Sequence, residues 1–309
     1  MREEKVTFCA DPAYPLKGCL TLPDFTETKY PVVVFVHGSG SSNMDEKVFK
    51  LTPFRDLAHG LASHGIASLR YDKRSYAHGF KMIRDKRAPL TVKEETVDDA
   101  VAAARFLRND SRIDPDRIFI VGHSMGGMLA PRIDAAGGNF RGLVIMAGTP
   151  RRLDTILREQ CAAQQETAPT FLRGFVRRQM DKMLAPFDDL DTMTDEEAMK
   201  KKFGGGTTLY YFKELANHPV SEALDACRKP MLIMQGSRDA QVSTERDYAL
   251  YRELLADRDN VEFRLYDGLN HVFVPAIYGT IDKLKKEYSV EQHIGADVIA
   301  DIAEFVHRY

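Results

Sequence analysis

Gly122-His123-Ser124-Met125-Gly126 sets a serine between two glycines, after the apolar run Arg117–Val121 and before a helical pattern. A strand that turns sharply into a helix brings backbone against backbone, so glycines are needed where a Cβ would clash. Such a corner pushes the hydroxyl out above the carboxyl ends of the neighbouring strands. The N-terminus of the following helix lies beneath it and favours developing negative charge. Ser124 is therefore a candidate nucleophile, the plainer alternative being a helix N-cap. An unactivated serine attacks poorly, so the chemistry needs a base and a group that orients the base.

Two later segments offer both. Gln235-Gly236-Ser237-Arg238-Asp239 follows the apolar run Met231–Met234, and Tyr266-Asp267-Gly268-Leu269-Asn270-His271 follows Val261–Leu265. Ser124, Asp239 and His271 then run in the order serine, acid, histidine, each in a loop after a candidate strand. Asp267 is the rival orienting carboxylate, placed second because it shares the histidine's own strand end. Of the 9 histidines, His64, His218, His293 and His307 fall in or beside helical patterns, where ordinary surface histidines sit. The expected oxyanion donors are the backbone N–H of Met125 and, in His37-Gly38-Ser39-Gly40-Ser41-Ser42, that of Ser39, with Gly40 as the fallback. His37 is read as ordering that loop and as a candidate wall of the substrate pocket.

The elements that must position these groups alternate between strand and helix. Val6–Cys9 and Leu16–Leu22 pattern as an antiparallel pair, and Val32–Val36, Ala67–Tyr71, Arg117–Val121, Leu143–Ala147, Met231–Met234 and Val261–Leu265 as core strands. Val32–Val36 is apolar on both faces, as a central parallel strand must be. Helical patterns cover Pro53–His64, Val92–Leu107, Met125–Ala136, Thr244–Leu255 and His293–Val306. Thr91 with Glu94, and Thr194 with Glu197, have capping-box spacing, and Gly204–Gly206 should end the helix behind Thr194. Pro131 cannot donate to the carbonyl of Gly127, which predicts a kink or loosened turn. The fold class is α/β: a mostly parallel sheet of about eight strands with helices on both faces. Residues 1–150 and 229–309 form its core domain, and 151–228 a helical insertion.

The 309 residues are enough to bury a full core, and a formal net charge of -2 gives no basic field for nucleic acid or an anionic membrane. A small molecule is the default partner, and a homodimer is left open. The charged start MREEKVTFCADPAYPL and the lack of any stretch of transmembrane length read as a cytoplasmic protein. Cys9, Cys19, Cys161 and Cys227 lack metal-ligand spacing and read as free thiols, with Cys9 and Cys19 as an alternative cross-strand pair. The short basic runs at 200–202 and 283–286 read as solvated helix faces.

HGSGSS at 37–42, RYDKRS at 70–75, GHSMGGMLAP at 122–131, QGSRDAQV at 235–242 and GLNHVF at 268–273 together resemble the α/β-hydrolase fold over nearly the whole chain. More narrowly, they resemble bacterial serine esterases of the dienelactone-hydrolase-like and prolyl-oligopeptidase-like catalytic type. The resemblance implies hydrolysis of carboxylic esters through an acyl-enzyme, with no metal and no organic cofactor. It also places the insertion where such proteins carry a lid. Ser75-Tyr76 stands where relatives have glycine after RYDKR, which makes Tyr76 a pocket candidate in a loop that Asp72 and Arg74 would hold as an ion pair. Met180, Met183, Tyr210, Tyr211 and Phe212 would line an acyl or aromatic pocket, or form the insertion's own core. The expectation is a serine carboxylesterase for small esters, short acyl or hydroxycinnamoyl. Thioesterase, small-peptide hydrolase or acyltransferase use of the same triad is the alternative, and a non-catalytic receptor the contrasting class.

Overall fold

Val32, Val34 and Val36 enter one apolar core while Val33 and Phe35 enter another, so the central strand separates two layers of helices. The first core takes Ala100, Ala104 and Leu107 of helix Asp98–Arg108 and Met128, Leu129 and Ile133 of helix Met125–Ile133. Leu57 and Leu61 of helix Pro53–Ser63 and Val298, Ile302 and Phe305 of helix Ala296–Arg308 fill the second. The computed structural model describes residues 1–24, 29–85, 90–204 and 207–309.

The strands are Arg2–Phe8 (β1), Leu16–Leu22 (β2), Tyr30–Val36 (β3), Ala67–Tyr71 (β4), Ile113–His123 (β5), Leu143–Met146 (β6), Met231–Gly236 (β7) and Val261–Tyr266 (β8). They form an 8-stranded sheet in the order β1-β2-β4-β3-β5-β6-β7-β8. β2 runs antiparallel to β1 and β4, and the remaining pairs are parallel. Register aligns the ends that matter: Val36 faces Gly122, His123 faces Met146, and Gly236 faces Tyr266. The loops after β3, β5, β7 and β8 therefore emerge along one edge, where parallel sheets place their sites.

Every expected strand is present, with ends moved by a few residues. Arg74–Arg84 is a helix where the sequence predicts a loop: its apolar residues recur at helical spacing but do not face the core, and its buried residues are Arg74 and Met82. Tyr76, Phe80 and Ile83 lie on its exposed side. The expected ion pair of Asp72 with Arg74 does not form; the Arg74 guanidinium pairs with the buried Asp99, and Asp72 accepts from the Met44 N–H at 2.9 Å. The helix behind Thr91 opens with a wide π turn, Lys93–Val97, where the Thr91 N–H donates to Glu94 at 3.2 Å. Through Pro131 the helix continues, and the loosened turn comes later, as the π turn Asp134–Gly138.

The insertion holds helices Leu153–Thr167, Arg173–Leu184, Asp195–Lys200, Leu209–Ala216 and Val220–Ala226, with the capping box at Thr194 formed. Gly205 and Gly206 lie outside the described residues, and the helix behind Thr194 stops at Lys200. Phe187, Leu190, Leu209, Phe212 and Leu224 join the same apolar core as helix Met125–Ile133. The four cysteines are free, and Cys19 faces Lys5 across the strands rather than Cys9. Among the described residues, no helix is long and apolar enough to cross a membrane.

Candidate active site

Ser124 occupies a backbone conformation of φ 54° and ψ -117°, which side-chain-bearing residues adopt only when their surroundings force it. The forcing is visible at the glycines. A Cβ on Gly126 would lie 2.1 Å from the Val36 carbonyl oxygen, and one on Gly122 2.3 Å from that of Gly126. Residues 122–127 are thus folded onto the end of β3, with Ser124 at the tip and Met125 opening the helix. The first amides of any helix lack intrahelical partners, so the Met125 N–H is a donor available at that tip.

His271 Nδ1 lies 2.7 Å from Asp239 Oδ2, and that contact fixes the ring. Asp239 is itself held on both oxygens: Oδ2 accepts from Gln235 Nε2 at 2.8 Å, and Oδ1 from the Gln241 and Val242 N–H groups at 2.7 and 3.0 Å. Asp267 instead accepts from the Ser237 hydroxyl at 3.0 Å. Gly236 lets the two loops meet, because a Cβ there would lie 2.4 Å from the Leu269 carbonyl oxygen. On the far side, buried Asn270 accepts from the Val272 and Val274 N–H groups and donates to Glu287 at 2.7 Å.

Ser124 and His271 open onto one pocket of about 220 Å³, whose walls include Ser39, Ser41, Gln241, Val272 and Tyr288. Gly38 packs on the serine: a Cβ there would lie 3.1 Å from Ser124 Cβ and 3.6 Å from its Oγ. The loop after β3 is pinned from below by residues that sequence reasoning passed over. Glu46, at φ 50°, accepts from the Gly38 N–H at 2.7 Å. Its other oxygen stands 3.0 Å from His123 Nδ1, and His123 Nε2 donates to the His271 carbonyl at 2.9 Å. One carboxylate thus ties the loop after β3, the residue before the serine and the histidine loop together. Burial pushes Glu46 up, but His123, His37 and the Gly38 N–H outweigh it and hold the carboxyl below its usual range. Burial pushes His123 down, and Glu46 beside it turns the balance upward. The only sequence signal for His123 was its place inside the serine motif; Glu46 had none.

None of the pocket candidates His37, Tyr76, Tyr210, Tyr211 and Phe212 is among the described residues lining the Ser124 pocket, and no lining residue comes from 151–228. His37 is buried against Phe54 and Tyr71, with Nε2 at 2.9 Å from the Asn43 carbonyl. Tyr76 is 55% exposed on helix Arg74–Arg84, and Tyr210 is half-buried. Phe212 packs edge-on with Phe187 and Phe203 as insertion core, while Tyr211 sends its hydroxyl to Glu95 at 2.9 Å. Of the five residues expected to line a pocket or to form the insertion's core, Tyr211 and Phe212 turn inward, Met180 and Tyr210 are half-buried and Met183 is exposed. Among the described residues, no group of three or more His, Cys, Asp or Glu is placed to hold a metal ion.

Residues 33–277 match the alpha/beta hydrolase family, and the chain belongs to that family. It is 31% identical over 291 residues to esterase EstD of Thermotoga maritima, covering 94% of this chain and 65% of that one, so it spans somewhat less than two thirds of this relative's length. Among solved structures, the Pyrococcus furiosus esterase Pf2001 superposes with a TM-score of 0.60 at 19% identity, covering 100% of this chain and 91% of that one. Est1E from Butyrivibrio proteoclasticus, in a structure with ferulic acid bound, gives 0.58 at 14% identity, covering 92% and 96%. At these identities the solved structures speak for the fold.

Proposed function

We propose that the protein is a serine carboxylesterase for small esters. The observation that carries this reading is the Asp239–His271 contact of 2.7 Å beside Ser124 in one pocket. Ser124 Oγ attacks the ester carbonyl carbon while His271 Nε2 takes the hydroxyl proton, and Asp239 holds the ring on its other side. The oxygen that becomes negative is met by the Met125 and Ser39 N–H groups. Collapse of the tetrahedral species breaks the bond to the alcohol, which leaves with the proton from His271. Water then attacks the acyl-enzyme with His271 again as base, releasing the acid and restoring the serine.

A pocket of about 220 Å³, whose walls mix Ser39, Ser41 and Gln241 with Val48, Val272 and Tyr288, favours short acyl groups over bulkier hydroxycinnamoyl ones by its size. Similarity to EstD supports ester over thioester or amide chemistry. Residues 151–228 serve as a cap beside the site, and free thiols suit a reducing cytoplasmic setting. Turnover of p-nitrophenyl acetate should vanish in Ser124→Ala with the melting temperature kept, and retained turnover would refute the assignment. The same assay run with feruloyl esters should give a lower kcat/KM than with acetyl; parity would remove the short-acyl preference.

A further inference from the structure

We propose that Lys73 is a positioning residue that aims the Ser39 amide at the oxyanion, and that Glu95 and Tyr211 connect it to the insertion and to Met125. This inference rests on the esterase reading above and extends it to groups outside the triad.

Lys73 follows β4 in the YDKRS segment, and its side chain is only 2% exposed. A buried ammonium is costly unless its donors are met. Two of them meet backbone: Nζ donates to the Gly38 carbonyl at 2.9 Å and to the Gly40 carbonyl at 3.0 Å. The third direction faces Glu95, whose Oε1 is 3.6 Å away.

The Gly38 carbonyl and the Ser39 N–H belong to one planar trans peptide group, so they point in opposite directions. Fixing the carbonyl toward Lys73 therefore fixes the N–H toward the other side of the loop. Gly38 packs on Ser124, and Ser39 and Ser41 both line the serine's pocket. Glu46 holds the N–H of Gly38 and Lys73 its carbonyl, so both peptide groups flanking this residue are clamped. A cation on a carbonyl also polarises the shared amide and strengthens its N–H as a donor, as in any charge-assisted chain.

Glu95 is buried, and its second oxygen accepts from the Tyr211 hydroxyl at 2.9 Å. That hydroxyl also lies 3.6 Å from Met125 Sδ. Burial first, and then Glu95, hold the Tyr211 hydroxyl well above its ordinary value, so it stays a donor. The chain Gly38, Lys73, Glu95, Tyr211, Met125 thus joins the peptide group that carries the Ser39 N–H to the side chain of Met125, the residue with the other oxyanion amide, and its Tyr211 link belongs to the insertion. The insertion acts on the chemistry through this chain rather than by walling the pocket.

The experiment measures kcat, KM and inhibition by an aryl trifluoromethyl ketone, whose serine adduct carries an oxyanion, in Lys73→Met, Lys73→Arg and Tyr211→Phe. Losing an oxyanion donor outright costs about 10² to 10³ in rate. Misaiming one should cost roughly tenfold to a hundredfold in kcat for Lys73→Met, with KM within about twofold and ketone affinity reduced by the same factor. Lys73→Arg should restore most of the loss, and Tyr211→Phe should show the same pattern at about threefold to tenfold. A folded Lys73→Met with unchanged kcat and ketone affinity overturns the proposal. If Lys73→Met does not fold, Tyr211→Phe decides: unchanged ketone affinity in that variant is equally fatal. Ser124→Ala run alongside separates the two readings. Its retained turnover defeats the esterase mechanism, whereas its inactivity with unperturbed Lys73 and Tyr211 variants defeats only the positioning role.

Discussion

The loop after β3 and the first helical hairpin of the insertion are built on opposite terms. In and against the loop, Glu46, His37 and Lys73 are buried or nearly so, and they hold the Gly38 N–H and the Asn43, Gly38 and Gly40 carbonyls at 2.7 to 3.0 Å. In the hairpin of Leu153–Thr167 and Arg173–Leu184, Phe171 and Phe175 are 85% and 64% exposed. Two of its ion pairs, Arg177 with Asp181 and Arg158 with Asp188, stand in solvent. Buried polar groups are expensive to leave unpaired, so they specify one geometry, whereas exposed pairs contribute little. The molecule therefore concentrates its precision at the strand edge and leaves the exposed face of the hairpin, around Phe171 and Phe175, weakly specified.

Changes at the edge should cost rate, and the largest loss is expected in Asp239→Asn. Its kcat should fall by about 10⁴, as expected when the orienting carboxylate is removed. Asp267→Asn should stay within about twofold by the same measure. Equal losses would erase the distinction between the two acids.

Glu46→Gln keeps an acceptor for the Gly38 N–H but removes the charge facing His123. A cost of about 1 to 3 kcal/mol in urea unfolding is expected, together with a fall of about tenfold in kcat. A variant as stable and active as the parent would show that the loop is not held from Glu46.

His37 offers a pH test. Burial, reinforced by Lys73 and His123 against Glu46, pushes it down to about 4 from 6.5. The unfolded chain takes up the proton first, so the His37 contribution is fully present above pH 6.5 and is lost as pH falls from there to about 4. The full span is worth about 3 kcal/mol. Subtracting the unfolding profile of His37→Gln from that of the parent should show this slope; a flat difference would contradict it.

The smallest effect belongs to the hairpin. Phe171→Ser and Phe175→Ser should each leave stability within about 0.5 kcal/mol by urea unfolding. Turnover should be equally untouched, and a marked loss in either would mean that the hairpin is not the permissive region it looks.

Much of the strand edge was legible because its signals are local. Strand, glycine, serine, glycine and helix follow one another at 117–133, and Asp239 and His271 each come within a few residues of a β-branched or apolar run. Chain order and a parallel sheet then do the rest. Lys73, Glu95, Glu46 and Tyr211 were not legible in these roles, because their partners lie 22 to 116 residues away in the chain or are backbone atoms without a side-chain signature. The aromatic residues at 210–212 illustrate a second limit. Periodicity shows that a side chain turns inward, but only packing decides between a substrate wall and a helix core, and here Phe187 and Phe203 take up Phe212.

The most direct measurement is covalent labelling of the native protein with a fluorophosphonate, which a serine attacks only when a base draws off its proton and an oxyanion site receives the phosphoryl oxygen. Peptide mass spectrometry should find one label per chain, on Ser124, with fluoride released and the label lost in His271→Ala. Labelling at another residue, or undiminished labelling of Ser124 in His271→Ala, would contradict the assignment of Ser124, His271 and Asp239 as a working unit.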